Sequence, residues 1–590
     1  MQIKQYFNLC NILGATLFGC YLYFFWESMP RWFHPGWTTD DAMQQVYPFH
    51  GVFDQDIFKG DFITEVMKGY LAPGHYWLGY SLTWLLGDLI MASHWMMFIQ
   101  LFLACIGLFL AVKYSAGVFP AFFAITWLLH SRVIIQRSTG GLPRGWALPL
   151  LCIFLYFFLR RNHFGVLATL FIGCFFHPPA TFLAAACYGV WLLWGVSFKS
   201  SRQDFLKPLY YLLLTGPIIA LTTLWIIQRP ESVGQMATIE QAQELAHFQR
   251  PHGRFPFLPL PTWERDIRIF AFQTFISRLY KPAQFWRENA RLIVVSLFLL
   301  VLLVGVIRRK TLLPSQFWFF LISIFGVYWA SRLLAFKLYV PDRHLQVPLA
   351  VFCIAAVTIA IWRAFLSTPA TTSNATLHRA APWSASSVAT TKWSFLGLFF
   401  LGVLLSQTAG TGLYGDANFN TSSTRRGAVF NWIRNNTPRD AVVAGHPTFI
   451  DDVMLFGKRR GYATTETYHP FYLGYLSEID QRIEISLKAH YAKDLEELYS
   501  LLEPVGVDYF VFERRRFYKA VLKDPKSFYF APFRELSREL GSRPWQDYAY
   551  RQVPPQLDLE NYPFQVFRDH RSVLIDIKLL GEYLKRSKDS

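Results

Sequence analysis

The chain has 590 residues, 53% of them hydrophobic, 18% aromatic and only 16% charged. That balance excludes an ordinary soluble globular protein and marks a polytopic membrane protein with a polar appendix. The formal net charge of +17 sits largely in short loops between apolar runs, where it sets topology, so it does not argue for nucleic acid as a partner.

Residues 6–26 form an apolar run without a charge. At ~1.5 Å rise per residue it spans roughly 31 Å, enough to cross a bilayer and too long for a signal peptide, so it reads as a retained anchor. The loop at 36–61 follows, with the adjacent pair Asp40-Asp41 and then Asp54, Asp56 and Asp61. Trp37, Tyr47, Phe49, Phe53, Ile57 and Phe58 interleave these carboxylates, which places the loop against a membrane surface. An acidic pair held there can bind a divalent cation or activate an acceptor hydroxyl. Taken alone, it reads more simply as a solvated loop.

The run at 73–86 is too short to cross and is expected to be an interfacial helix on the side of the acidic loop. Further spans are expected at 95–112, 118–135, 146–159, 164–176, 181–194, 210–227, 292–307, 317–336, 345–362 and 393–409, about eleven with the anchor. With the N-terminus cytoplasmic, Lys113, Arg160-Arg161, the basic loop 199–207, the basic stretch 308–310 and Arg363 all fall inside. The acidic loop, the second loop QRSTGGLPRG (136–145), the His177-Pro178-Pro179 turn, the long loop 228–289, the turn Pro341-Asp342-Arg343-His344 and the C-terminal region fall outside. Within the long loop, 267–279 is amphipathic; the Ser/Thr/Ala-rich stretch 367–391 reads as a disordered linker.

The expected organisation is a transmembrane domain at 1–410, with external loops at 27–94 and 228–289, followed by an extracytoplasmic α/β domain at 411–590. In that domain 427–435 and 494–502 have helical spacing, and 441–444 and 507–512 read as strands. The seven cysteines all lie in apolar runs, leaving no disulfide framework in the polar region and no Cys-x-x-Cys metal site.

One anchor, an external loop carrying Thr39-Asp40-Asp41 and an interfacial helix resemble the GT-C glycosyltransferases, polytopic enzymes that take sugars from polyprenyl-phosphate carriers on the extracytoplasmic face. The C-terminal stretches Asn431-Trp432-Ile433-Arg434-Asn435-Asn436-Thr437-Pro438 and Gly506-Val507-Asp508-Tyr509 are similar to the oligosaccharyltransferase catalytic subunit. Protein O-mannosyltransferases and lipid A aminoarabinose transferases share the broad layout. The sequon-reading WWDYG motif has no counterpart, so asparagine-linked transfer is not implied, and the second loop holds no Asp or Glu.

The resemblance implies a multi-pass enzyme of the plasma (inner) membrane that moves a sugar from a polyprenyl-phosphate or -diphosphate donor to a glycan, lipid or protein acceptor. Asp40 or Asp41 would act as base, or Asp41 would hold a divalent cation such as Mg or Mn. A phosphate leaving group needs positive charge, for which Arg144 and Arg343 are the best external arginines; each also reads as a structural residue of its turn. His344, His177 and His75 are further substrate-side candidates, with His177 more simply a turn residue and His75 an interfacial helix residue. His247, His252 and Arg254 could meet a donor headgroup, in a loop that orders on substrate binding in related enzymes. Asp54 and Asp56 read as helix caps, and Asp451-Asp452 as a solvated helix start. A flippase of lipid-linked sugars would place charges within spans along a path, whereas here they cluster at outer ends; a non-catalytic scaffold would leave that clustering unexplained.

Overall fold

An apolar run in a bilayer can satisfy its backbone N–H and C=O groups internally only as a helix. A computed structural model of the chain describes residues 9–27, 34, 36–197, 202–227, 233–249, 251–255, 312–338, 340–366, 419–420, 427–524 and 529–589, and shows helices where those runs lie. Two units divide the chain: Met1–Phe33, His94–Ile227 and Trp263–Asp416 make the first; His34–Ser93, Gln228–Thr262 and Ala417–Ser590 make the second.

The first unit is helical: Leu9–Glu27, Val118–His130, Arg132–Ser138, Ala147–Leu159, His163–Phe176, Pro178–Ser197, Arg202–Ile227, Ser315–Leu333, Arg343–Leu366 and most of Leu89–Ala116. Among the described residues, Leu89–Ala116 and Arg343–Ala364 are both long and apolar enough to cross a membrane. The expected spans at 292–307 and 393–409, the basic stretch 308–310, the amphipathic piece 267–279 and the linker 367–391 lie outside the described residues, so the count of eleven is not carried further.

Two expectations need correction. The run 118–135 is not one helix, because Ser131 is extended (φ −71°, ψ 115°) and separates Val118–His130 from Arg132–Ser138. The His130 ring just before the break is hydrogen-bonded to the Tyr21 hydroxyl at 3.0 Å, a partner more than a hundred residues away that no local pattern reveals. The basic loop 199–207 is helical from Arg202 onward.

Helix contact in this unit depends on small residues. A Cβ added to Gly107 would stand 2.7 Å from the Ile153 backbone nitrogen and 2.8 Å from the Cys152 carbonyl carbon, so the two backbones touch there. Gly107→Val is expected to destabilise the protein by about 1–3 kcal/mol, read as a lower melting temperature in detergent.

In the second unit a short strand of the acidic loop, β1 (Trp37–Thr38), pairs antiparallel with β2 (Phe419–Asn420). A five-stranded sheet is built from β3 (Val442–Gly445), β4 (Arg460–Gly461), β5 (Tyr509–Glu513), β6 (Gln565–Arg568) and β7 (Ser572–Asp576), in the order β4-β3-β5-β7-β6. β3 runs parallel to β4 and β5, whereas β7 is antiparallel to β5 and β6. Phe510, Val511 and Phe512 are all wholly buried, as a strand covered on both faces requires. Helix Ala428–Asn436 packs Val429 and Ile433 onto this core beside Val443 and Val511.

The loops of this unit are tied to the sheet domain by main-chain bonds. Ala237 N–H donates to Phe471 O (2.9 Å), Leu473 N–H to Gln235 O (2.8 Å) and Ala531 N–H to His252 O (3.0 Å). Gly234 sits at φ +76° with Gly474 against it; a Cβ there would be 2.5 Å from the Gly474 nitrogen, so only glycine permits this approach. The run 73–86 is a helix, Pro73–Leu86, ended by Gly87 in the left-handed region. It leaves Trp77, Trp84 and Leu85 exposed, the kind of face an interface would cover.

Candidate active site

Within the second unit, Asp40 and Asp41 lie at the start of the short helix Ala42–Gln45. Asp40 is exposed and Asp41 half-buried. Asp40 Oδ1 accepts the Asp41 N–H at 3.0 Å, and Asp41 Oδ1 accepts the Gln44 side-chain amide at 3.0 Å. The helix Pro447–Asp452 packs on this turn and carries a second acidic pair. Asp451 and Asp452 are 5% and 1% exposed, which corrects the expectation of a solvated helix start. Asp451 Oδ1 accepts the Glu466 N–H at 2.8 Å, and Glu466 is ion-paired with Arg254 at 3.3 Å.

Charge ties these groups together. Burial, opposed by Arg254, pushes the Glu466 carboxyl above its usual range, and Asp41 and Asp40 raise it further. Burial likewise pushes Asp451 well up, with Glu466 adding to the rise. The loop pair therefore acts electrostatically on Glu466, which with buried Asp451 favours the protonated form, with one guanidinium as counter-charge.

A raised carboxyl contributes stability that is present below the ordinary carboxylate range, about pH 4, and is lost as pH climbs through the folded value. Asp451→Asn keeps the acceptor for the Glu466 N–H and removes the charge. It is expected to melt roughly 2–4 °C above wild type near neutral pH, with the two curves converging toward about pH 4; parallel curves across that range would contradict the assignment.

Arg254 also donates to Tyr468 O at 3.2 Å and lies over the Phe530 ring at 5.4 Å. His247 Nε2 is 3.1 Å from the Asp480 carboxylate, which also accepts from the Tyr468 hydroxyl. Both side chains, expected as contacts for a donor headgroup, thus hold residues 233–255 to the sheet domain. The rest of the long loop, from 256 to 289, lies outside the described residues. His75 is buried and tilted against Phe49 at 6.3 Å.

The expected caps also move. Asp61 caps Phe62–Gly69 by accepting the Thr64 N–H at 2.9 Å. Asp54 instead accepts the Asp56 N–H at 3.2 Å and pairs with Arg439 at 3.2 Å, and Asp56 pairs with Lys59 at 3.6 Å. No group of three or more His, Cys, Asp or Glu side chains among the described residues is disposed to hold a metal ion. Asp41 Oδ1 is engaged by the Gln44 amide.

In the first unit, His177, Arg343 and His344 come from two distant turns and lie close enough for both Arg343 and His344 to act electrostatically on His177. His177 Nδ1 accepts the Ala180 N–H at 3.1 Å, capping the following helix. That assignment leaves its Nε2 as the protonated, donating nitrogen. His344 Nε2 stands 2.7 Å from Leu338 O and must donate to it. Arg343 donates to the Gln346 side-chain oxygen at 3.2 Å and lies 3.8 Å from Asp342. Arg144 sits in the one-turn helix Pro143–Trp146, where the Gln100 amide donates to Leu142 O at 3.0 Å.

Sequence reasoning passed over Arg332 and Glu466. Arg332 is 5% exposed and donates to the Tyr328 hydroxyl at 2.8 Å; an arginine inside an apolar run was the signal. For Asp451-Asp452 the signal was the flanking sequence, Phe449-Ile450 before and Val453-Met454-Leu455 after.

Comparison with solved structures places this architecture. The apo oligosaccharyltransferase of Archaeoglobus fulgidus matches over 92% of this chain and 73% of its own, with 12% identity and a TM-score of 0.51. ArnT of Cupriavidus metallidurans, solved with undecaprenyl phosphate, matches over 95% of this chain and 98% of its own, with 13% identity and a TM-score of 0.49. No protein-family profile and no curated protein sequence matches. The chain shares its fold with the Archaeoglobus fulgidus oligosaccharyltransferase over most of its length.

Proposed function

We propose that this protein is an integral-membrane glycosyltransferase that moves a sugar from a polyprenyl-phosphate or -diphosphate carrier to an extracytoplasmic hydroxyl acceptor on a glycan, lipid or protein. The observation that carries the reading is the Asp40-Asp41 pair at the start of helix Ala42–Gln45, on which the helix carrying buried Asp451 packs, with Glu466 bonded to Asp451 and ion-paired with Arg254. The shared fold supports it, and the absence of a WWDYG motif directs it away from asparagine acceptors.

In the proposed reaction the acceptor oxygen forms the new bond to the anomeric carbon as the bond from that carbon to the carrier phosphate oxygen breaks. The acceptor proton passes to Asp41 or Asp40, and the bonding pair leaves on the phosphate. Glu466 and Asp451, biased toward protonation, can stay neutral while the Asp40-Asp41 pair carries the charge a base needs. Arg343 offers a fork of donors to the departing phosphate, and the Nε2–H of His177 offers one more. His344 acts through its bond to Leu338 O, which fixes the turn carrying Arg343. Arg144 is proposed as a further phosphate contact and His75 as a packing residue of the acidic loop. The N-terminus is proposed to be cytoplasmic and the C-terminal domain extracytoplasmic, in the plasma membrane.

The test is to incubate the purified full chain with a panel of undecaprenyl-phosphate hexoses and a mixed acceptor extract. Time-dependent appearance of free undecaprenyl phosphate from at least one donor is expected. Donor that stays intact across the panel, while the protein remains folded, would overturn the reading.

A further inference from the structure

A cavity of about 250 Å³ lies wholly within the second unit, lined by His50, Asp88, Asn431, Arg434 and Lys458, with Phe430 among its apolar walls. It is smaller than the ~300–1,000 Å³ of drug-sized pockets and suits a headgroup-sized ligand. Its charges are not balanced internally. Neither Lys458 nor Arg434 has a carboxylate within ion-pair distance among the described residues. Asp88, the one acid of the lining, accepts the Met91 N–H at 2.7 Å.

Lys458 is also held at φ +52°, a left-handed conformation that a lysine adopts only at a cost. It follows a single π-helical turn, Val453–Gly457, an irregularity frequent at functional sites. Burial, and then Arg434, opposed by Asp88 and Asp54, holds the Lys458 ammonium below its usual range. An anion between the two cations would relieve both.

His50 supplies the second element. It is 4% exposed, and its Nε2 is 2.7 Å from Leu455 O, to which it must donate. The other ring nitrogen, Nδ1, is therefore an acceptor, and it is buried with no hydrogen-bond partner. Burial, aided by Lys458 and Arg434 and opposed by the Leu455 bond, pushes the ring down to about 3, so it stays neutral. Arg434 donates to Asn431 Oδ1 at 3.0 Å; a neutral acceptor beside two cations without a carboxylate partner selects a ligand that carries both an anion and a hydroxyl.

We propose that this cavity binds a hydroxylated phosphate ester, with the phosphate against Lys458 and Arg434 and a ligand hydroxyl donating to His50 Nδ1. Two sources share that chemistry: a soluble sugar phosphate, and the headgroup of a glycerophospholipid such as phosphatidylglycerol. The site is separate from Asp40-Asp41, and the proposal does not depend on the transferase reading.

The experiment uses the full chain, titrated with glucose 1-phosphate and with inorganic phosphate in detergent. Retention of phosphatidylglycerol is measured separately by native mass spectrometry. Lys458→Asn keeps a residue that tolerates left-handed backbone, and Arg434→Gln changes an exposed helix position. Saturable binding of glucose 1-phosphate, tighter than inorganic phosphate and weakened about tenfold or more by either variant, supports the soluble source. Retention of phosphatidylglycerol by wild type and its loss in both variants supports the lipid source. If wild type holds neither probe, or both variants hold them within about twofold of wild type while melting normally, the proposal is overturned.

Discussion

Asp41→Asn is expected to slow sugar transfer by about 10²–10⁴-fold, the usual contribution of a positioned general base. The substitution is close to isosteric, and its amide oxygen can still accept the Gln44 amide that now bonds Asp41 Oδ1 at 3.0 Å. The turn should therefore fold as before, and the melting temperature should stay within about a degree of wild type. Asp40→Asn is expected to cost less, because Asp40 is exposed while Asp41 is half-buried and oriented by Gln44. Initial rates of undecaprenyl-phosphate release by the two variants decide the ranking. Losses below about threefold in both would remove the acidic loop from the chemistry.

Arg343→Gln is expected to lower kcat/KM for the lipid donor by about 10²–10³-fold, in line with loss of one donor to a developing oxyanion. Lysine at the same position should restore only part of that loss, since a point charge does not reproduce a planar fork. The result needs a control, because Arg343 also lies 3.8 Å from Asp342 and bonds Gln346. Asp342→Asn removes the intramolecular charge partner and leaves the guanidinium in place. If that variant were as slow as Arg343→Gln, the arginine would be organising its turn and not the phosphate.

Much of the architecture was legible because its determinants are local. Apolar runs without charge gave the helices, and the run 73–86 is a helix with those bounds. The helix at Ala428–Asn436, the strand at Val442–Gly445 and the helix at Leu495–Leu502, capped by Asp494, also follow from short-range patterns. The break at Ser131 was hidden because its neighbour His130 is held by a hydroxyl from the first helix. β6, β7 and the helix Leu473–His490 were passed over for a different reason. They are short or mixed in polarity, and their placement depends on β5, which was recognised without its neighbours.

The acidic loop stood out from spacing alone, but its setting did not. The setting of Asp451 involves Glu466 and Arg254, fifteen and nearly two hundred residues away in the chain. The same holds for His247, whose partner Asp480 comes from the helix Leu473–His490. Of the residues that line the His50 cavity, Asn431 and Arg434 stood out only as part of a family-like stretch, and Lys458 and His50 not at all, since Lys458 is notable only for its backbone and His50 only for its burial.

Bond-making is proposed for the acidic loop and the carrier phosphate for Arg343, so the most direct measurement is equilibrium binding of undecaprenyl phosphate to wild type, Asp41→Asn and Arg343→Gln. Asp41→Asn is expected to bind within about twofold of wild type although it turns over far more slowly, and Arg343→Gln to bind at least about tenfold more weakly. Unchanged binding by Arg343→Gln together with lost binding by Asp41→Asn would contradict both roles.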